Sequence, residues 1–470
     1  MQQDLGRFGD RRLEQAGADF LARLMEVGPC GARVRPLGGD RAGEVRFGRF
    51  LHNERVTHEE MIATAAAHTA ELVQGLHVLA VQACPCESLP LRRRGAGDTT
   101  TMRDDGDQNS LNLHAMIAVD ARDGAMLGPV HAEFLHREGG KRGDCGKRPF
   151  EEKESFRWLT ATREAAKLIE AGAARVTVVA DRECDIYDEF ARRPAETDLV
   201  IRAHHDRLLA DGRWLFGRPR RLPELGRETI ALPAAPGRRA RDAVIALRAC
   251  PVTLKRPMRN RAAETAKLPP KVHLTLVEAR EVRPPRNVTP AHWFLLTTHA
   301  VSSFTDARRI THFYRARWTI EQVNRTMKTE GFRIEASRVA DGGPFENLAA
   351  AVLIAAIQVM QLVGDRDGTA GRPLKDVFDP ADQPALETIC ATLEGKTARQ
   401  KNPHKRGSLA YATWVCARLA GWTGYYGKPG PIVILRGLLL FKAMRQGCRI
   451  GRSIRSEPKR RRSSGRGNRE

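Results

Sequence analysis

The stretch FYRARWTIEQVNRTMK, Phe313 to Lys328, decides how the rest of the chain is read. Phe313, Ala316, Ile320, Val323 and Met327 recur at spacings of three and four residues, which aligns them along one side of a helix. That side predicts core. Tyr314, Arg317, Glu321, Arg325 and Lys328 recur at the same spacings and form a second stripe beside the first, with one carboxylate set among cations. Taken alone, the second stripe is a solvated face carrying i,i+4 ion pairs, Arg317 with Glu321 and Glu321 with Arg325, each contributing a few tenths of a kcal/mol. Its surroundings give it another meaning.

Just upstream, Trp293 to Thr298 reads WFLLTT, a buried strand, and Thr305 is expected to cap the helix that follows. Downstream, Leu348 to Val363 is apolar over sixteen residues, short for a membrane span and better suited to a buried helix. A Pro/Asp/Gly-rich connector and a helical carboxy-terminal part follow. The last residues, 452–470, carry Lys459-Arg460-Arg461-Arg462 and no apolar periodicity, which predicts a disordered basic tail.

Toward the amino terminus, Arg11 to Val27 and His58 to Leu76 have helical periodicity, with Thr57 as cap of the second. Between them, Gly31 to Arg49 is rich in Gly and Arg, and Arg33, Arg35, Arg41, Arg46 and Arg49 could grip phosphates. Val78 to Gln82 predicts a central strand. Leu111 to Asp120 and Ala125 to Leu135 flank Ala121-Arg122-Asp123-Gly124, a hairpin signal. Phe156 to Ala171 predicts a helix closed by Gly172; Arg175 to Ala180 and Asp198 to Ala203 predict strands. From His204 to Ala291 the β-type runs are separated by basic, Pro-rich connectors, as in an insertion. The expected fold is α/β: a mixed sheet flanked by helices, with a β-rich insertion and helical terminal domains. The expected domains are 1–77, 78–346 with the insertion at 204–291, and 347–451, followed by the tail.

The chain of 470 residues carries 78 Lys+Arg against 56 Asp+Glu, a net charge of +22 and an isoelectric point near 10.2. This balance favours a polyanionic partner, nucleic acid before a membrane surface. The polar start of the chain, Met1 to Leu24, does not read as a signal peptide. Nine scattered cysteines argue against a disulfide framework and suit a reducing cytoplasm. Cys84-Pro85-Cys86 lacks the spacing and second pair of a zinc knuckle.

Three acids occupy comparable places. Asp98 lies just past the first strand region, Asp181 ends a later strand, and Glu321 sits on the helix after the last strand. Acids delivered from strand ends can converge at the carboxyl edge of a sheet. Three carboxylates beside cations would suit two Mg²⁺ ions, which take hard oxygen ligands and leave positions open to phosphate oxygens. Taken alone, Asp98 and Asp181 read first as ordinary caps.

Tyr314, Arg317, Glu321 and Lys328 fit Tyr-x2-Arg-x3-Glu-x6-Lys, which resembles the signature of DDE transposases of the insertion-sequence-four group, cut-and-paste enzymes with a ribonuclease-H-like catalytic domain. Asp98-Thr99-Thr100 and Asp181-Arg182-Glu183-Cys184-Asp185-Ile186 are similar to that group's two strand-end acid motifs. Gly421-Trp422, Lys428-Pro429-Gly430-Pro431 and Leu435-Arg436-Gly437 also resemble it, as, more briefly, does Phe8 to Leu13.

The resemblance implies that Asp98, Asp181 and Glu321 hold the catalytic Mg²⁺, with Mn²⁺ a possible substitute. It implies that Tyr314, Arg317, Lys328, Arg325 and Arg202 bind transposon-end phosphates. It also implies that Trp293, 21 residues before Tyr314, stacks on a flipped base, although Trp293 reads equally well as a buried sheet aromatic. The implied partners are transposon-end and target DNA and a second copy of the chain, in the cytoplasm and away from membranes. One departure stands out: fifteen residues, Ala83 to Gly97, separate the first strand from Asp98, where the family has none. The chain is therefore read as an active transposase or as a catalytically impaired, DNA-binding descendant, with a generic ribonuclease-H-like nuclease as a weaker third reading.

Overall fold

The structure is a computed structural model, and it describes residues 4–27, 31–83, 89–90, 110–136, 149–219, 222–232, 240–257, 267–328, 331–339, 342–425 and 427–456. Strand β1 (His77–Ala83) is apolar on both sides because both of its faces are covered. Val78 and Ala80 pack on the helices of one side, Leu79 and Val81 on those of the other. The short β2 (Leu89–Pro90) takes up the same edge of β3 (Ser110–Asp120) beyond Ala83. Strand β3 runs antiparallel to β1 and turns at Gly124 (φ +76°) into β4 (Met126–His136), the hairpin the sequence predicts. Strand β5 (Arg175–Ala180) lies parallel to β1, and β6 (Thr197–Arg202) parallel to β5. A hairpin, a central strand and two parallel strands in the order β4-β3-β1-β5-β6 make the ribonuclease-H-like sheet.

The sheet continues past β6. Strand β10 (His292–Thr297) pairs antiparallel with β6, and β9 (Lys271–Glu281), β8 (Arg241–Lys255) and β7 (Gly226–Leu232) follow in one hydrogen-bonded ladder. The β-rich insertion is thus an extension of the same sheet. Helices α5 (Phe156–Glu170) and α6 (Tyr187–Arg192) cover one face through Trp158, Leu168, Tyr187 and Phe190.

The other face carries α7 (Phe304–Arg315), α8 (Trp318–Met327) and the apolar α9 (Gly342–Gly364). Helix α9 is long and apolar enough to cross a membrane, yet 89% of its most apolar window is buried in protein, as expected of a core helix. The amino-terminal helices α1 (Arg11–Val27), α2 (Val34–Gly38), α3 (Arg41–Leu51) and α4 (His58–Ala70) share its core. Asn347 of α9 fastens them, donating to the carbonyls of Leu51 (3.0 Å) and Val56 (2.7 Å).

Several boundaries differ from expectation. The Gly/Arg-rich stretch after α1 forms α2 and α3, with Asp40 capping α3 by accepting from the Gly43 amide at 2.7 Å. Helix α4 ends at Ala70, not Leu76. Ser303, not Thr305, caps α7, because Ser303 and Asp306 close a reciprocal capping box. The opening stretch is two helices. Around Ala316 and Arg317 the amides of Arg317, Thr319 and Ile320 bond three residues back, and this tightening breaks the helix.

The carboxy-terminal part holds α10 (Gln383–Leu393), α11 (Leu409–Leu419) and α12 (Pro431–Ser456), the last running beyond Arg452, where the tail was expected to begin. The rest of that tail lies outside the described residues.

At the start of α7, Phe304 lies over Gly226 of β7, where an added β-carbon would sit 2.5 Å from its ring. At the sheet edge where β1 and β5 begin, the Thr177 hydroxyl lies 2.9 Å from His77 Nε2 and 2.9 Å from His299 Nε2. Arg175 links His299 to Asp198, and burial holds both histidine pKa values down to about 4. This edge is a structural tie.

Gly437 lets α12 cross α11, since a β-carbon there would lie 1.6 Å from the Cys416 carbonyl oxygen. Gly437→Ala is expected to cost about 2 kcal/mol through forced separation of the helices. The check is urea denaturation, with Gly447→Ala, which meets nothing within 4 Å, as the control.

Candidate active site

The strand pairing assembles the site. Ala180 pairs with Ile201 and Val179 with Val81, so the chain leaving β5 at Asp181 stands beside Arg202. Continuing the β1–β5 register puts Ala83 abreast of Asp181, the position the first acid would fill if it followed the strand directly. Asp98 lies outside the described residues, as does most of the Ala83 to Gly97 insertion. Asp181 is extended (φ −84°, ψ −174°) and caps a single 3₁₀ turn, its Oδ1 accepting from the Arg182 amide at 2.6 Å.

Glu321 arrives from the first turn of α8. The Nη1 of Arg317 lies 2.6 Å from Glu321 Oε1 and 3.5 Å from Asp181 Oδ2, so one guanidinium bridges the two acids. The Arg317 side chain is 12% exposed, against 32% for Asp181 and 34% for Glu321, which places the cation beneath two carboxylates that open to solvent. Burial works against the Arg317 charge, but Tyr314, Asp181 and Glu321 outweigh it and raise its pKa.

Tyr314 is buried, its ring 5.7 Å from the half-buried Trp293 and 5.8 Å from the Arg317 guanidinium. Burial, helped by Asp181, pushes its phenol pKa up, while Arg317 and Arg202 pull it back. Arg202 pairs with Leu295 on β10, close to Trp293. The fold therefore gathers Asp181, Arg202, Trp293, Tyr314, Arg317 and Glu321. Arg325 is exposed farther along α8, and Lys328 is buried at its end with Nζ 3.9 Å from Glu335.

Two further elements hold this edge in shape. Asp185 is buried and accepts from the amides of His204 (2.8 Å) and His205 (3.1 Å), while Arg207 lies 2.5 Å from its other oxygen. It ties the loop after Asp181 to the chain leaving β6. Below, Gln82 on β1 contacts His114 on β3 at 3.2 Å and Thr162 on α5 at 3.4 Å, and Thr162 donates to Glu189 on α6 at 2.6 Å. Burial, partly offset by Thr162 and Arg163, raises the Glu189 pKa to about 7. Asp185 was visible only as one letter of the second acid motif, and the Gln82–Glu189 chain had no sequence signal because its members are scattered over four elements.

Asp181 and Glu321 offer hard carboxylate oxygens to one solvent-facing spot, a donor set that suits Mg²⁺ or Mn²⁺. Among the described residues no third acid, histidine or cysteine completes a cluster.

A ribonuclease-H-like sheet thus carries Asp181 at a strand end and Glu321 on the helix after the last strand, the two held to one point by Arg317. The family described as Transposase DDE domain matches residues 121–357, just over half of the chain, and the chain belongs to that family. It is a DNA-cleaving and DNA-transferring enzyme of a family that works with divalent metal ions. Among solved structures it is similar to piggyBac transposase in a cryo-EM synaptic complex with hairpin DNA, at 9% identity and TM-score 0.38, covering 95% of this chain and 74% of that one.

Two outcomes follow from this packing. Asp185→Ala, which strands Arg207 and two amides, is expected to cost about 3 kcal/mol in urea denaturation, and an unchanged midpoint would remove its anchoring role. Glu189 has a native pKa of about 7 against an ordinary 4.5. The fold favours its protonated form, so this contribution to stability is full below pH 4.5 and is lost as pH rises through 7. Glu189→Gln should therefore raise the melting temperature relative to the parent more at pH 8 than at pH 4.

Proposed function

We propose that the chain is a cut-and-paste transposase of the insertion-sequence-four group, in which Asp181, Glu321 and Asp98 hold Mg²⁺ at the transposon end. The observation that carries this reading is the shared Arg317 bridge, which brings a strand-end acid and a helical acid to one point beside Tyr314. When bound, the ions supply Lewis acidity to the scissile phosphate and its attacking oxygen. Arg317, Arg202 and Tyr314 orient the phosphates around that point, and Arg325 and Lys328 extend the contact along the end. Trp293, tilted at 58° to the Tyr314 ring, presents a flat wall to a base lifted from the duplex.

The proposed order is nicking at the element end, attack of the freed 3′-hydroxyl on the opposite strand to give a hairpin, hairpin opening, and strand transfer to target DNA. Each is an in-line displacement that positioning and fixed charge accelerate. The amino-terminal helices and the β-rich extension would contribute to the DNA path, and 347–451 to a homodimer holding two ends, acting in the cytoplasm on the cell's DNA.

The second reading, a binding-competent but impaired descendant, is favoured by Ala83 standing where the first acid would follow its strand. Glu321→Gln is expected to abolish Mg²⁺-dependent nicking and hairpin formation on a pre-cut end while duplex binding stays within about twofold; Arg317→Ala should weaken both. Normal cutting by Glu321→Gln would overturn the assignment. Binding without cutting by the parent, with cutting restored by deletion of 83–97, would establish the impaired descendant.

A further inference from the structure

The Gly421-Trp422 and Lys428-Pro429 motifs have no part in the site above, yet Trp422 and Pro429 from them line a cavity of about 410 Å³ on the carboxy-terminal helices. This volume lies in the usual range for small-molecule pockets, ~300–1,000 Å³. Its lining brings together Arg366 from the turn after α9, Arg399 and Lys401 from the loop before α11, His404, Trp414 and Trp422, and no acid is among the described lining residues. A charge taken out of water loses solvation that a partner ordinarily replaces. Arg366 is half-buried, and no acid among the described residues lies within ion-pair distance of it.

The acids on either side of it in the chain are committed elsewhere. Asp367 is bound by Lys428 and accepts from the Thr369 hydroxyl at 3.0 Å; Asp365 accepts from the amides of Ala370 and Arg372, each at 3.1 Å. Burial pulls the Arg366 pKa below its ordinary value, and Asp367 only partly restores it. Burial also lowers the His404 pKa, against the fields of Asp365 and Asp367.

The aromatic walls are held in place. Trp422 donates its Nε1–H to the Gly427 carbonyl at 3.1 Å; Arg418 donates to the Trp422 carbonyl at 3.0 Å and lies 5.5 Å from the Trp414 ring. Gly424, at φ +85°, passes so near that a β-carbon would lie 3.1 Å from the Arg399 carbonyl oxygen, so the rim needs glycine there. Three cations and two indole rings share the lining, a composition that matches a phosphate joined to a flat ring.

We propose that this cavity binds a nucleotide unit, its phosphate held by Arg366, Arg399 and Lys401 and its base laid against Trp422. The unit is either a free nucleotide or an unpaired nucleotide of a DNA strand, and only the second source rests on the transposase reading. The test titrates the full chain with dAMP by calorimetry and with a short labelled single-stranded oligodeoxynucleotide by anisotropy at low salt.

Arg366→Gln and, at an exposed position, Arg399→Ala are each expected to weaken binding about tenfold, with Arg366→Lys recovering part of the loss. Because Arg366→Gln removes an uncompensated charge, it should melt no lower than the parent. Weakening with dAMP identifies a free nucleotide as a source, and weakening with the oligonucleotide alone identifies a strand. If the parent binds neither probe, or both variants bind as the parent does, the inference falls. Glu321→Gln should bind both probes like the parent, so loss of DNA cleavage and loss of this site are read separately.

Discussion

Parallel strands deliver their carboxyl ends to the same edge, and the β1–β5–β6 pairing is the constraint on which the site depends. With Val179 fixed against Val81 and Ala180 against Ile201, Asp181 has no choice of neighbour: it stands between the end of β1 and Arg202. Everything else at the edge answers to that placement. Asp185 fastens the loop that follows, Gln82 and Glu189 brace it from below, and α8 brings Glu321 from above. The pairing itself is held at the other end of the strands by Thr177 and its two histidines.

The Arg317 bridge explains why cations and a carboxylate share one face of the stretch Phe313 to Lys328. A buried ion pair is a weak source of stability because desolvation consumes most of the Coulombic gain. Here two carboxylates and a tyrosine surround one guanidinium, and their fields more than offset its burial. The local tightening at Ala316 and Arg317 turns the arginine inward, where a straight helix would have left it on a half-exposed stripe. Beyond the break the stripe loses its unity: Lys328 is buried near Glu335 and Arg325 lies on the exposed surface.

Much of this was legible in the sequence, for physical reasons that can be named. The strands β1, β5 and β10 announced themselves as short apolar runs because both faces are covered, and the Asp-Gly turn fixed the hairpin. Asp181, Glu321 and Arg317 were singled out through spacing joined to family resemblance, and the structure brings the three together. What stayed hidden depended on distant partners. The split between α7 and α8 comes from three hydrogen bonds that any sequence can make. The helices α2 and α3 lay in a Gly-rich stretch whose glycines permit close packing rather than a loop, as Gly38 and Gly43 do where their backbones meet. The pairing of Asn347 with two carbonyls some 290 residues earlier has no local trace at all.

The extension of the sheet has a mechanical side. From β4 to β7 the strands form one ladder, and helix α7 begins with Phe304 seated on Gly226 at the far border and ends where Arg317 turns in between the acids. A hydrogen-bonded plate resists shear and yields mainly by twisting as a whole. Helix α7 thus spans from the outlying strands to the acid pair, so the far border of the sheet and the two carboxylates are positioned by one element.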